Sequence, residues 1–340
     1  MNSMWKPGKK KRGIFLFSVA GAAVLAAAMG LAGCQNKETS LKKLRLNEVA
    51  HSIFYAPQYV AMEKGYFKEE GIDLEVTTGF GADKSATAVI SKDADIALMG
   101  PEATIYQYNE GNEDYLVNFA QLTQRAGNFV VSRKKIADFR WEDLKGKEII
   151  GGRPGGMPQM VFEFVLKKHG IDPKKDVNLV QNIDFANTSG AFAGGTGEYT
   201  VEFEPSATLL EEQGAGYVVA SVGMESGYVP YTAYSTTKSF LAENKEVLRA
   251  FTRAIEKGQK YVEEHTAREG AQVIAPQFTD TEEKTIEKIV ERYGEQDSYK
   301  TNTRFEQESF TLMQDILEEA GELEKRVPYE ELVTTEFSSK

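Results

Sequence analysis

Residues able to do chemistry are plentiful in this chain, but their spacing suits holding a molecule better than transforming one. His51, Phe54 and Tyr55 form one short group. The two aromatics offer faces on which a flat ring can stack, and a neutral His51 both donates and accepts a hydrogen bond. Phe54 and Tyr55 serve equally well as core packing. Glu102, Glu204, Asp83 and Glu202 would attract an amino or amidine group. Arg125 and Arg153 favour the opposite, because a guanidinium pairs with an oxyanion at two points. Each of these charges serves equally as half of a surface ion pair. Three Gly-containing turns, "FGAD" (80–83), "GPE" (100–102) and "GGRPGGMP" (151–158), separate predicted strands from predicted helices. Glycine lets a backbone come close to a ligand. The free N–H groups at a helix start carry partial positive charge, which suits an anion. Strand-to-helix punctuation accounts for a single such turn; Gly155-Gly156-Met157-Pro158 is the one assigned to ligand binding.

What is missing narrows the choice. His51, His169 and His265 are scattered, with no HExxH or similar metal spacing, and neither G-x-S-x-G nor a Gly-Lys-Ser/Thr phosphate loop occurs. No metal and no cofactor is expected, and neither is catalysis, which needs an assembled nucleophile and base.

The elements that must position these residues can be read from periodicity. "KLRLNEVA" (43–50) and "IDLEVTT" (72–78) alternate like strands, and "APQYVAMEKG" (56–65) reads as a helix from Pro57 to a Gly65 stop. "DKSATAVISK" (83–92) suits a helix, "DIALMG" (95–100) a buried strand, and "PEATIYQYNEG" (101–111) a helix. The pattern restarts after residue 140 with "KEIIGG", "MPQMVFEFVLKKHG", "DVNLVQNI", "EYTVEFEP" and "YVVASVG". Such alternation predicts an α/β fold with parallel sheets covered on both faces. After about residue 240 only helices are predicted, at 244–265, 281–294 and 304–321; Val247, Phe251, Ile255 and Tyr261 mark the stripe of the first. Inside it, Gly258 is predicted to cost about 1 kcal/mol. "SKDADIALMGPE" (91–102) and "GGTGEYTVEFEP" (194–205) echo one another weakly. Two lobes on one plan would produce that echo, and so would chance.

The first 33 residues hold five cations and no acid, followed by an apolar run from Ile14 to Met29 and then "GLAGCQN" (30–36). Positive start, apolar middle and small residues mark a secretory signal at 1–33. Leu31-Ala32-Gly33-Cys34 resembles the lipobox of bacterial lipoproteins, which makes Cys34, the sole cysteine among 340 residues, the lipidated new terminus. The competing reading, an uncleaved membrane helix, explains the apolarity but not the placement of the cysteine. A polar tether is expected over 34–43. Removal of the leader takes the net charge from −11 to about −16, which disfavours nucleic acid.

"HSIFYAPQYVAMEKGYFKEEGIDLEV" (51–76) is similar to the first strand-loop-helix of the bacterial periplasmic-type receptor family for thiamine-precursor pyrimidines, nitrate, sulfonates and taurine. "DADIALMGPE" (93–102), "EDLKGKEIIGGRPGGMP" (142–158) and "GGTGEYTVEFEP" resemble later parts of the same pattern. The resemblance covers roughly 44 to 330 and implies a periplasmic-binding-protein type II fold, two lobes joined by two crossing strands. Lobe one would hold 44–125 plus 235–340, lobe two 136–222, and the hinge crossings 126–135 and 223–234. On that frame the cleft is lined by His51, Phe54, Tyr55, Gly81, Asp83, Gly100, Pro101, Glu102, Gln124, Arg153, Gly155, Gly156, Met157, Glu202, Phe203 and Glu204. Tyr231 and Tyr234 either line its wall or fill the hinge. One departure counts against a pyrimidine: binders of that ligand often place Asn before this His, and here it is Ala50.

The resemblance implies an extracytoplasmic, lipid-anchored solute receptor. It would deliver a small molecule to an ABC permease and its ATPase, meeting the membrane only through the lipid. A thiamine-precursor pyrimidine or related heterocycle is the favoured ligand; an oxyanion such as an aliphatic sulfonate, taurine or nitrate is the alternative. Relatives that synthesise the thiamine pyrimidine carry a cysteine-rich iron motif, and here the sole cysteine is spent on the leader. A sensory lipoprotein without a transporter fits the sequence as well.

Overall fold

The short apolar runs become strands of two separate sheets in the computed structural model of the protein, which describes residues 41–339. The leader, Cys34 and most of the tether lie outside the described residues. One sheet contains β1 (Lys42–Glu48), β2 (Ile72–Thr78), β3 (Ile96–Met99), β4 (Leu116–Thr123) and β10 (Thr232–Thr237). The other contains β5 (Asn128–Ser132), β6 (Glu148–Ile150), β7 (Asn178–Val180), β8 (Tyr199–Phe203) and β9 (Tyr217–Ser221). Their orders are β2-β1-β3-β10-β4 and β7-β6-β8-β5-β9. Both sheets thus follow one plan, with β3 and β8, the two strands of the sequence echo, in the same central place. Lys42 and Lys43, expected in the tether, already pair with β2.

The sheets are mixed rather than parallel. β10 runs antiparallel to β3 and β4, and β5 runs antiparallel to β8 and β9. Each arrives directly from the other sheet, β5 after 124–127 and β10 after 222–231. A parallel neighbour needs a crossover that returns over the same sheet; a strand arriving from another sheet does not. Residues 128–132, expected within a crossing, are accordingly a sheet strand beside β8.

Helices cover both sheets. Lys245–Glu264 buries Leu248, Phe251 and Ile255 on one stripe, while Val247 and Tyr261 sit at its half-buried edge. Gly258, expected only to weaken this helix, has a packing reason. A Cβ there would lie 2.1 Å from the Pro57 carbonyl oxygen, so glycine lets this helix seat against Ala56–Glu63. The helix Gln307–Ala320 packs on Met157–Lys168, which flanks the second sheet. Among the described residues, no helix is long and apolar enough to cross a membrane.

Candidate ligand-binding site

The carboxyl ends of β1, β2, β3, β6, β7 and β8 converge on one cavity of about 660 Å³. In α/β sheets ligands bind in the crevice beyond strand carboxyl ends, and this volume is that of a small-molecule site. Of the residues expected to line it, all do except Phe54, Pro101 and Gln124. Phe54 is core: it is 1% exposed and its ring packs 4.9 Å from that of Tyr293. It also fills the space over Gly127, where a Cβ would meet it at 2.7 Å. Pro101 is buried beneath the turn. Gln124 is held on another face, its amide donating to the Asp297 Oδ1 at 2.9 Å and carbonyl at 3.1 Å. Arg125 also lies away from the cavity, over the Tyr228 ring at 4.2 Å. Of the two tyrosines left open, Tyr231 lines the wall, while Tyr234 is buried and donates to Gln58 Oε1.

Glu102 begins the helix Glu102–Asn109, which follows β3. Its carboxyl folds back over Gly100, where a Cβ would lie 2.0 Å from Oε2 and the carboxyl would have to shift. Oε1 accepts from the Met157 N–H at 3.4 Å, the first residue of the helix Met157–Lys168 across the cavity. Oε2 is buried and has no hydrogen-bond partner. Burial pushes Glu102 up to about 7, against the pull of its own and the Met157 N–H groups. The Tyr231 hydroxyl is likewise buried without a partner, and burial, with the Glu102 charge after it, raises its pKa. Tyr106, in the same helix as Glu102, donates to the Gly155 carbonyl at 3.1 Å.

The other acids differ in how far they are satisfied. Glu202 accepts from Thr200 at 2.6 Å and Thr188 at 3.0 Å, and burial pushes it up to about 7. Glu204 is committed elsewhere: Arg292 donates to it at 2.6 Å, and Thr208 donates through both backbone and hydroxyl at 2.9 Å. Asp83 faces Arg153 at 3.7 Å.

His51 is not the free donor and acceptor that the sequence suggested. Nδ1 meets Glu48 Oε1 at 2.8 Å and Nε2 meets the Gln277 carbonyl at 2.8 Å. Both partners are acceptors, so the ring is held as a double donor. Its hydrogen bond to Glu48 raises the His51 pKa. Glu48, which sequence reasoning missed, is fully buried and also accepts from Gln58 and Tyr59 at 2.8 Å each.

A family model described as NMT1/THI5 like matches residues 53–268. The chain belongs to the NMT1/THI5-like family. A protein of Bacillus subtilis (strain 168) named "Putative binding protein YtlA" is 49% identical over 310 residues, covering 91% of this chain and 92% of its own. The 4-amino-5-hydroxymethyl-2-methylpyrimidine phosphate synthase of Aspergillus parasiticus is 27% identical over 222 residues, 62% of this chain and 63% of the synthase. Among solved structures, the alkanesulfonate-binding protein SsuA from Xanthomonas axonopodis pv. citri, bound to MOPS, matches with a TM-score of 0.70. It is 15% identical, and the match covers 86% of this chain and 98% of SsuA. That likeness is one of fold: this NMT1/THI5-like chain has the periplasmic-binding-protein architecture, two mixed sheets with helices.

Sequence reasoning about this NMT1/THI5-like chain missed several cavity residues: Ser52, Phe80, Tyr106, Phe185, Thr188 and Thr232. Tyr106 was within reach, one helical turn after Glu102 in a helix predicted from "PEATIYQYNEG". Phe185 had no signal, since its segment after β7 carries no periodicity.

Proposed function

We infer that this chain is the extracytoplasmic solute-binding component of an ABC-type import system, anchored through a lipid on Cys34. It binds a small neutral or weakly cationic heterocycle, with a thiamine-precursor pyrimidine favoured, in the cavity between the sheets. Closure about 124–127 and 222–231 would follow binding, the usual mode for receptors of this architecture. The observation that carries the reading is the cavity itself. It joins aromatic walls from Tyr55, Phe203 and Tyr231 to two lining residues, Glu102 and Tyr231, that each bury a polar atom without a partner. Unmade buried hydrogen bonds are costly, about 1–3 kcal/mol each, and a ligand that makes them recovers that energy. A binder rather than a catalyst is favoured by the name of the YtlA relative and by the absence of a second cysteine from the sequence.

The test is a thermal-shift screen of the full chain in mild detergent against aminopyrimidines, riboflavin, taurine, sulfonates and nitrate. A binder raises the midpoint by mass action. The reading expects a shift with a heterocycle and no conversion of it. Chemical turnover of the bound pyrimidine would return the chain to the enzymes. Palmitate incorporation that survives Cys34→Ala would remove the anchor.

A further inference from the structure

We propose that Gln124, Arg125, Tyr228 and Asp297 form a brace away from the cavity that fixes how the two crossing segments lie against each other, and with them how far the two sheets stand apart without solute. This rests on the reading that the sheets close on a solute about 124–127 and 222–231, and adds what holds those segments beforehand.

The four side chains close a ring. Gln124, in the first crossing, donates to Asp297 Oδ1 at 2.9 Å, and Tyr228, in the second, donates to Asp297 Oδ2 at 2.6 Å. Arg125, the neighbour of Gln124, lies over the Tyr228 ring at 4.2 Å and donates to the Gly223 carbonyl at 3.3 Å. Each oxygen of one carboxylate thus serves a different crossing, and hydrogen bonds to a charged acceptor are the stronger kind. Backbone contact backs the ring: a Cβ on Gly223 would lie 2.2 Å from the Ala126 carbonyl oxygen, so glycine lets the crossings touch.

Asp297 belongs to neither crossing, and its own run of chain is anchored to both sheets. The run follows the helix Glu283–Glu295 and lies along the end of β4, where Tyr299 bridges Thr123 antiparallel and the Lys300 N–H donates to the Leu122 carbonyl at 3.1 Å. The Gln124 N–H donates to the Ser298 carbonyl at 2.9 Å, and the Ser221 hydroxyl, at the end of β9, donates to Gln296 Oε1. The Asp297 backbone is left-handed, with φ of 54°. Any residue but glycine loses free energy there, aspartate and asparagine least, and such a conformation persists where its surroundings over-determine it. Glycine would relieve the backbone and release both crossings; the aspartate keeps them.

The test reads the unliganded full chain in mild detergent. Amide hydrogen exchange is compared in the wild type, Tyr228→Phe, Asp297→Gly, Asp297→Asn and the double variant Tyr228→Phe with Asp297→Gly. Tyr228→Phe keeps the ring under Arg125 and loses only the bond to Asp297. It should speed exchange over 124–127, where nothing is substituted, about three- to tenfold, the weight of one hydrogen bond. Asp297→Asn keeps an acceptor for Gln124 and a donor for the Tyr228 oxygen, and should stay within about twofold of the wild type. The double variant should exchange no faster than Asp297→Gly alone, because one ring is broken only once. Spin labels on Lys84→Cys and Asn182→Cys, exposed positions beside β3 and after β7, then report sheet separation in a Cys34→Ala background. Their distance distribution should widen about twofold in Tyr228→Phe and Asp297→Gly and not in Asp297→Asn. Unchanged exchange over 124–127, or additive effects in the double variant, overturns the brace. Faster exchange with an unaltered label distribution overturns its hold on the sheets. Both results leave the solute reading standing, since that reading is decided by the thermal-shift screen. Should Asp297→Gly fail to fold, Tyr228→Phe still decides the matter, because Tyr228 is 50% exposed.

Discussion

Glu102 of one helix start and Met157 of another are joined across the cavity by a hydrogen bond of 3.4 Å from the Met157 N–H to the Glu102 carboxyl. The contact ties the end of β3 to the loop after β6, and thereby the two sheets to each other. Ser52 donating to the Glu204 carbonyl at 2.8 Å and Tyr106 donating to the Gly155 carbonyl at 3.1 Å make the same span. Cavity lining and sheet-to-sheet contact therefore share residues.

The first prediction concerns pH. Burial pushes Glu102 and Glu202 up to about 7 from an ordinary 4.5. Between those values the folded protein binds more protons than the unfolded chain, so stability falls as pH rises through this window. The loss from Glu102 is on the order of 3 kcal/mol at most. Urea unfolding of the unliganded protein at pH 5, 6, 7 and 8 should show a declining midpoint, and Glu102→Gln should flatten part of that decline. Parallel curves for the two proteins would mean that Glu102 has an ordinary carboxyl.

Glu204 lines the cavity, as expected, but its carboxyl is already held by protein partners. Its carboxyl is buried and paired with Arg292 at 2.6 Å. Removing one member of such a pair leaves a charge stranded, at a cost of about 3–5 kcal/mol. Arg292→Ala should lower unfolding free energy by about 3 kcal/mol without changing ligand specificity. A loss below about 1 kcal/mol, or an altered specificity, would give Glu204 back to the site.

His51 should titrate above its ordinary value of 6.5, because the hydrogen bond to Glu48 favours the charged ring. The stability from this pair is then present below that ordinary value and lost as pH rises through the higher folded one. Two-dimensional NMR of the imidazole should place its midpoint above 6.5 in the wild type and lower it in Glu48→Gln. A wild-type midpoint at or below the ordinary value would contradict the geometry.

Phe80 and Phe185 are exposed large aromatics at the cavity, one following β2 and the other following β7. Phe80 holds a left-handed backbone with φ of 57°, a conformation that costs a non-glycine residue free energy and persists where something else favours it. Phe80→Ala should leave stability within about 0.5 kcal/mol, the usual range for surface positions, and weaken solute binding several-fold. Unchanged affinity would make Phe80 mere surface.

Most of the framework was legible because periodicity reports burial directly. The alternation of Ile72, Leu74 and Val76 became β2, and the stripe through Phe251 and Ile255 became the helix Lys245–Glu264. β4 escaped because all eight of its residues are buried, leaving no alternation to see. The helix Ala267–Ile274 escaped although Thr266 and Glu269 form a capping box that its sequence announces. In the site, the turns after the strands could be found from their glycines. Which acid was free could not, since Glu102, Glu202 and Glu204 read alike until Thr188 and Arg292 arrive from other segments. Phe54 and Tyr55 were indistinguishable for the same reason: adjacent residues, one sealed against Tyr293 and the other on the cavity wall.

The most direct test of the account is hydrogen–deuterium exchange on the full chain with and without 4-amino-5-hydroxymethyl-2-methylpyrimidine. Slowed exchange confined to 80–83, 100–106, 151–158 and 201–206, on both sides of the cavity, is the predicted result. Protection elsewhere, or on one sheet alone, would contradict a solute held between the two.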